Sequence, residues 1–279
     1  MRIAVLSGKG GTGKTFVSVN LSCAAEQATT YVDCDVEEPN GHLFLKPVQL
    51  EKSGVTVAVP VVDNQKCTGC RTCVNFCKYN AIAFIKEKPL IFYEICHSCG
   101  GCHLFCPEHA ISEKQREIGS IEKGKSDQVT ALTGKLNIGE VSGVPIIKEL
   151  IKNFPETETT VIDCPPGSGC TVMESIQLAD FCVLVAEPTL FGVHNLSMVY
   201  DLVKKFKKPY GVVLNKCMPE SNPAEQFCID HQIKILAKIP YDEQLGKLNS
   251  NGLVAVRENK TYQEIFHNLL NDIEKEAVL

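Results

Sequence analysis

An apolar run, a glycine-rich loop and a helical pattern open the chain in that order, and few folds accommodate them. Ile3, Ala4, Val5 and Leu6 stand in succession and read as a buried strand. Gly8-Lys9-Gly10-Gly11-Thr12-Gly13-Lys14-Thr15 follows, then a helix with Val17, Leu21, Ala24 and Ala25 on one face. Strand, loop and helix are the context that the phosphate-binding pattern G-x-x-x-x-G-K-S/T requires. Glycines let successive backbone N–H groups turn toward one anion, and the helix N-terminus adds partial positive charge there. Lys14 is placed to meet the β- and γ-phosphates of ATP, and the Thr15 hydroxyl to ligate Mg²⁺.

Lys9 is a second lysine, directly after the first glycine. Beside Lys14 in one protomer it would find too little negative charge for both ammonium groups. The run from Lys9 to Thr15 resembles the deviant P-loop of the MinD/ParA and nitrogenase iron-protein ATPases. The resemblance implies that Lys9 crosses a dimer interface to the partner's nucleotide.

The chain has 279 residues, a net charge of −5 and fifteen cysteines. The charge gives no global pull toward nucleic acid or anionic lipid. No leading signal segment and no membrane-length apolar run is read, which points to the cytoplasm. Disulfides are disfavoured there, so clustered thiols point to metal. Eight of the cysteines form a repeat. Cys67, Cys70, Cys73 and Cys77 are spaced as Cys96, Cys99, Cys102 and Cys106, and Ala-Ile follows each run, at Ala81-Ile82 and Ala110-Ile111. This is the bacterial two-cluster ferredoxin spacing, in which the fourth cysteine of each run reaches the other cluster. Cys67, Cys70, Cys73 and Cys106 are therefore assigned to one 4Fe–4S cluster, and Cys96, Cys99, Cys102 and Cys77 to a second; zinc knuckles and redox disulfides are the alternatives. Lys78 stands where the first run would carry proline, as Pro107 does in the second, so one cluster is expected to be more solvated. His97 and His103 are candidates to hydrogen-bond cluster sulfur. With five basic and five acidic residues over 63–113, the insert gives no electrostatic pointer to a partner. The other seven cysteines read as buried and inert, with Cys164 and Cys170 near a switch loop.

Further strands end in polar residues. Thr30 to Asp35 closes on acids before the loop 36–41, and Thr159 to Asp163 precedes the glycine-containing loop 164–169. By resemblance Asp35 matches the family's first-switch aspartate, which orients or deprotonates the attacking water, and Asp33 is structural or Mg²⁺-related. Asp163 resembles the second-switch aspartate on Mg²⁺, and Gly167 can turn its N–H toward the γ-phosphate. Asn215 resembles the adenine-reading asparagine, and Pro240 and Asp242 the loop over base and ribose. Val55–Val59, Phe181–Val185 and Tyr210–Leu214 read as strands, 117–144 as strands returning to the sheet, Pro145–Lys152 as a helix, and Lys260–Ala277 as a core-closing helix with Ile265, Leu269, Leu270 and Ile273 inward.

The expected fold is α/β: a doubly wound, mostly parallel P-loop sheet over 1–62 and 114–279, with a small α+β ferredoxin of the 2(4Fe–4S) kind inserted at 63–113. The resemblance implies a slow, partner-stimulated, Mg²⁺-dependent ATPase that dimerises with ATP and couples nucleotide state to electron transfer toward an unidentified redox protein. The alternative is an ATP-dependent iron–sulfur cluster carrier of the Mrp type. A ParA-like positioning protein is a third class, disfavoured because neither a basic run for DNA nor a lipid-binding helix is read.

Overall fold

The computed structural model describes residues 1–154, 159–219 and 222–277. Among them the strands are β1 (Arg2–Leu6), β2 (Thr29–Asp33), β3 (Val48–Val62), β4 (Ile82–Ile85), β5 (Lys88–Ile91), β6 (Ile111–Ser126), β7 (Val129–Leu136), β8 (Thr159–Asp163), β9 (Phe181–Ala186), β10 (Tyr210–Cys217) and β11 (Ile235–Pro240). Nine form one sheet in the order β11-β10-β9-β1-β8-β2-β7-β6-β3, and β4-β5 form a separate hairpin. From β11 to β7 the strands are parallel; β6 and then β3 complete the edge antiparallel.

Alternation along β1 supplies both sides of the sheet. Ile3 and Val5 enter a core closed by the helices Lys14–Ala24 and Lys260–Ala277. Ala4 and Leu6 enter the opposite core, under the helices Val144–Lys152, Cys170–Ile176, Leu190–Lys205 and Pro223–Asp230. The single apolar face predicted for the first helix is too narrow: Phe16, Val19 and Asn20 are buried as well. The final helix covers it, with Phe16 edge-on to Phe266 at 5.7 Å. That final helix buries Tyr262, Phe266, Leu269, Leu270 and Ile273, while Ile265 is half-buried, so it closes a core as predicted.

The strand predicted at Val55–Val59 is the middle of a 15-residue strand. Its first half, Gln49 to Ser53, is exposed, Leu50 included, so burial gives that part no apolar face to recognise. Charges at Glu51 and Lys52 on the outermost strand also protect an open sheet edge from pairing with other chains. The returning segment forms β6 and β7, and β7 accompanies β6 only from Gly119 onward. Residues 111–117 of β6 pair with β3 alone. These seven residues, at ~3.4 Å each, carry a two-stranded ribbon on the order of 25 Å past the sheet. The ribbon leaves at the carboxyl ends of the parallel strands, where the Gly8–Thr15 loop also lies.

The excursion at its tip spans 63–110, because residues 111–113 pair with 60–62 and belong to the ribbon rather than to the insert. It contains β4-β5, the short helices Thr72–Phe76 and Gly101–Leu104, and a small core of its own around Ile82, Cys102 and Ile111.

Candidate functional site

The loop after β1 keeps a tight path that its glycines permit. Gly11 and Gly13 have φ of 78° and 97°, and a Cβ on Gly8 would lie 2.2 Å from the Asn195 carbonyl oxygen. Thr12 Oγ1 and Ser7 Oγ both donate to the Lys9 carbonyl, at 3.1 and 2.8 Å. Lys14 is buried and donates to Asp163 Oδ1 at 2.8 Å, with Asp35 3.9 Å away. Ser18 Oγ shares Asp163 Oδ1 at 3.1 Å, and Tyr31 donates to Asp163 Oδ2 at 2.9 Å. Thr15 is half-buried in the first turn of the helix.

Asp33 is the anchor of the loop that follows β2. Its Oδ1 accepts from Asp35 N at 3.2 Å, and its Oδ2 from Asn40 N and Gly41 N at 3.1 and 3.0 Å. Burial and the neighbouring Asp163 push the Asp33 carboxyl up to about 7. Burial also raises Asp35, to about 6; Lys14 opposes this, while Asp163, Glu38 and Glu37 add to it. Asp35 borders a cleft with Pro165, Pro166 and Thr171 on its far side. Gly167 N donates to the Ser7 carbonyl at 2.9 Å, which ties the 164–169 loop to the phosphate loop.

Lys9 is not short of negative charge within one protomer. Its ammonium meets Glu187 Oε2 at 2.6 Å and stands 5.3 Å above the Phe191 ring. Lys216 takes the other oxygen of Glu187 at 2.6 Å and also donates to the Gly11 carbonyl. Partial burial works to raise the Glu187 carboxyl, but the bonds from Lys216 and Lys9 outweigh it and hold it below its ordinary range. The electrostatic conflict expected of Lys9 is therefore resolved by a strand-end carboxylate far away in sequence.

Gly11, Gly13, Phe16, Asn215, Lys216, Pro240, Tyr241 and Asp242 line a pocket of about 210 Å³ next to the phosphate loop. Asn215 donates to the Thr12 carbonyl at 2.8 Å, and a Cβ on Gly13 would strike its amide. Asp242 accepts from Gln244 N and from the Tyr262 hydroxyl, each at 2.8 Å, so the loop after β11 is pinned to the final helix.

The two cysteine runs fold as a structural repeat. Gly69 and Ser98, Arg71 and Gly100, and Asn80 and His109 occupy equivalent places, and all six have positive φ. Arg71, Ser98, Asn80 and His109 hold that conformation at a cost of about 1–2 kcal/mol each, so the loop shape is imposed by its surroundings. One cavity is bordered by Cys67, Cys70, Cys73 and Cys106, and a second by Cys77, Cys96, Cys99 and Cys102. The fourth cysteine of each run thus faces the other run's three. Ala110 N donates to Cys106 Sγ at 3.3 Å. Among the described residues, no three His, Cys, Asp or Glu side chains converge closely enough to hold a single metal ion. His103 Nδ1 bonds the Ile111 carbonyl, and His97 stacks on Tyr79 at 3.8 Å. Of the remaining cysteines, Cys34, Cys164, Cys182 and Cys228 are buried, whereas Cys170 is exposed. Burial raises the thiols of Cys34, Cys164 and Cys182, which keeps them inert.

Glu187, Lys216, Ser18 and Tyr31 have no assigned part in the residue pattern. Only the placement of Glu187 and Lys216 at strand carboxyl ends hints at a site; Tyr31 and Ser18 sit in runs that read as core. Residues 3–256 match the family profile described as the CobQ/CobB/MinD/ParA nucleotide binding domain. The chain is 31% identical over 263 residues to the uncharacterised protein MJ0579 of Methanocaldococcus jannaschii, covering 90% of each. It is 24% identical over 307 residues to an iron-sulfur cluster carrier protein of Pyrococcus furiosus, covering 98% of this chain and 87% of that one. Its fold resembles that of the septum site-determining protein MinD of Pyrococcus horikoshii, a structure complexed with Mg-ADP, with a TM-score of 0.62, 20% identity and coverage of 98% and 96%. Loop, switch carboxylates, parallel sheet and profile agree: the chain belongs to the CobQ/CobB/MinD/ParA family and carries its nucleotide-binding P-loop ATPase domain.

Proposed function

We propose that the protein is a Mg²⁺-dependent ATPase whose nucleotide state governs electron transfer through two 4Fe–4S clusters. The observation that carries this reading is the pair of cavities, each bordered by four thiols drawn from both cysteine runs. That donor set fits a cubane, which takes one thiolate per iron and so spreads its ligands wider than a single ion does. Clusters held there supply one-electron carriers. Cys67, Cys70, Cys73 and Cys106 hold the first, and Cys77, Cys96, Cys99 and Cys102 the second.

In the nucleotide site, Asp33, Asp35 and Asp163 surround the single ammonium of Lys14. That surplus of negative charge suits a divalent cation held by Thr15, Asp163 and Asp35. With triphosphate bound, Lys14 turns from Asp163 to the β- and γ-phosphates, while the N–H groups of residues 8–15 cradle them. Asp35 orients the attacking water, and its raised pKa lets it accept a proton near neutral pH. Asn215, Pro240 and Asp242 frame the base. Lys9 leaves Glu187 for the nucleotide of a second protomer, so ATP favours a homodimer. A redox protein in the cytoplasm is the proposed partner.

A second reading is an ATP-dependent carrier of iron–sulfur clusters, favoured by the relative that bears that name. One experiment separates the two. Protein purified without oxygen is expected to contain about eight irons per chain, with EPR signals on reduction, and to keep them through ATP turnover in the presence of an apo-acceptor. Transfer of iron to the acceptor favours the carrier; a zinc-loaded, EPR-silent protein overturns both.

A further inference from the structure

One ion pair joins the nucleotide domain to the second thiol cavity. Arg116 lies on the part of β6 that pairs only with β3, at the base of the projecting ribbon. Its guanidinium grips Glu140 with two bonds of 2.6 Å each. The same Nη2 donates to the Tyr93 carbonyl at 3.2 Å. Tyr93 begins the single 3₁₀ turn Tyr93–Ile95, and the next residue is Cys96, which borders the second cavity. Arg116 and Glu140 are 24% and 10% exposed, so the pair is shielded more than an ordinary surface bridge.

The other end of the pair rests on the first switch. Glu140 sits in the turn after β7, where Asn137 N bonds the Ile118 carbonyl and Glu140 N the Asn137 carbonyl. Leu136 N, at the start of that turn, donates to the Val36 carbonyl at 2.8 Å. Val36 packs into the space left by Gly134 and Gly143; a Cβ on Gly143 would lie 2.3 Å from Val36 Cγ2. Val36 directly follows Asp35 and is buried. The first cavity has no such tie: it is bordered by residues 67–73, 106–108 and 110–111 together with Phe84 and Pro89, none of which bonds to Arg116 or Glu140 among the described residues.

We propose that Arg116 is a positioning residue that transmits movement of Asp35–Val36 to the Cys96 side of the second thiol cavity and not to the first. The proposal rests on the reading of the protein as a nucleotide-governed electron carrier and names the cavity that responds. A shift of the first switch moves the 136–143 turn through its bond and its packing with Val36. The bidentate grip of Glu140 on Arg116 keeps that turn and the guanidinium together, and the Tyr93 carbonyl follows.

The test is amide hydrogen exchange on the full chain purified without oxygen, with and without Mg²⁺ and a non-hydrolysable ATP analogue. In the unaltered protein, exchange at 93–99 is expected to change with nucleotide while exchange at 67–73 does not. In Arg116→Gln and, separately, Glu140→Gln, the change at 93–99 is expected to vanish, with nucleotide affinity within about twofold and iron content unchanged. Reduced EPR should in parallel show only one of two cluster signals sensitive to nucleotide, and neither in the variants. A nucleotide effect at 93–99 that survives both substitutions overturns the role of Arg116, as does an equal effect at 67–73. Unaltered protein with no nucleotide effect anywhere in 63–110 overturns the coupling itself, and with it the reading on which the proposal rests.

Discussion

At the scale of single residues, the nucleotide site is a balance of charges that burial makes costly to disturb. Among the described residues Lys14 is the one ammonium bonded to the fully buried Asp163, and Lys14→Ala leaves that carboxylate only the Ser18 and Tyr31 hydroxyls and no cation. Such a break costs about 3–5 kcal/mol, so Lys14→Ala is expected to lower the melting temperature as well as abolish tight nucleotide binding; adding Asp163→Asn should recover part of the melting temperature but none of the binding. Differential scanning calorimetry with a nucleotide titration reads both. The raised carboxyls of Asp33 and Asp35 set a pH dependence whose sign follows from linkage. Their folded values, about 7 and about 6, lie above the ordinary 3.8. The folded state therefore holds protons that the unfolded state has released, and stability is lost as pH rises from about 4 to about 7. Denaturant unfolding across that window should show the decline, and Asp33→Asn should flatten it. For turnover, Asp35→Asn should retain nucleotide binding while losing hydrolysis, read by single-turnover kinetics with Mg²⁺ and ATP.

At the scale of elements, the insert and the sheet are held by different means. The sheet has two extensive cores, one on each side, whereas within residues 63–110 the buried apolar side chains are only Ala81, Ile82, Cys102 and Ala110, packed with Ile111 of the ribbon and a few half-buried neighbours. So small a core does little to offset the ordering of nearly fifty residues, and under the proposed function the clusters would supply the remainder. Loss of iron in air is therefore expected to expose 63–110 to protease while the sheet keeps its melting transition. Limited proteolysis before and after oxidation measures this, and protection of 63–110 in iron-free protein would contradict it. The ribbon of β3 and β6 should survive cluster loss at its sheet end, where β7 pairs with it, and fray toward Val62 and Ile111.

At the scale of the whole molecule, the ribbon places the insert at the same end of the sheet as the phosphate loop, the two switch aspartates and Glu187. A second protomer approaching that end meets Lys9 in its bond to Glu187. Closing the proposed dimer would break that bond, so the nucleotide would have to favour the closed state by more than the bond is worth. Sedimentation with a non-hydrolysable analogue is expected to show a dimer for the unaltered chain and none for Lys9→Ala. Glu187→Gln weakens the resting contact of Lys9 and should bring dimerisation to lower protein concentration; a requirement for higher concentration would mean that Glu187 belongs to the interface instead.

Local pattern alone determined much of this protein. The phosphate loop, the polar strand ends and the cysteine repeat each require particular residue types at fixed spacing within a few residues, so Lys14, Asp33, Asp35, Asp163 and both sets of four cysteines stand out as candidates without any fold. The final helix was legible too, since its apolar side recurs at helical spacing. Tertiary structure alone decided what lies far apart in sequence. The pairing of Lys9 with Glu187 and the hold of Tyr31 on Asp163 depend on which strand ends lie side by side in the sheet. The exposed half of β3 has no buried face, its Val48 and Leu50 included, because it lies on an open edge. The direction in which the ribbon projects follows from β3 and β6 running antiparallel beyond the last parallel strand, and strand order is set by long-range packing that no local window contains.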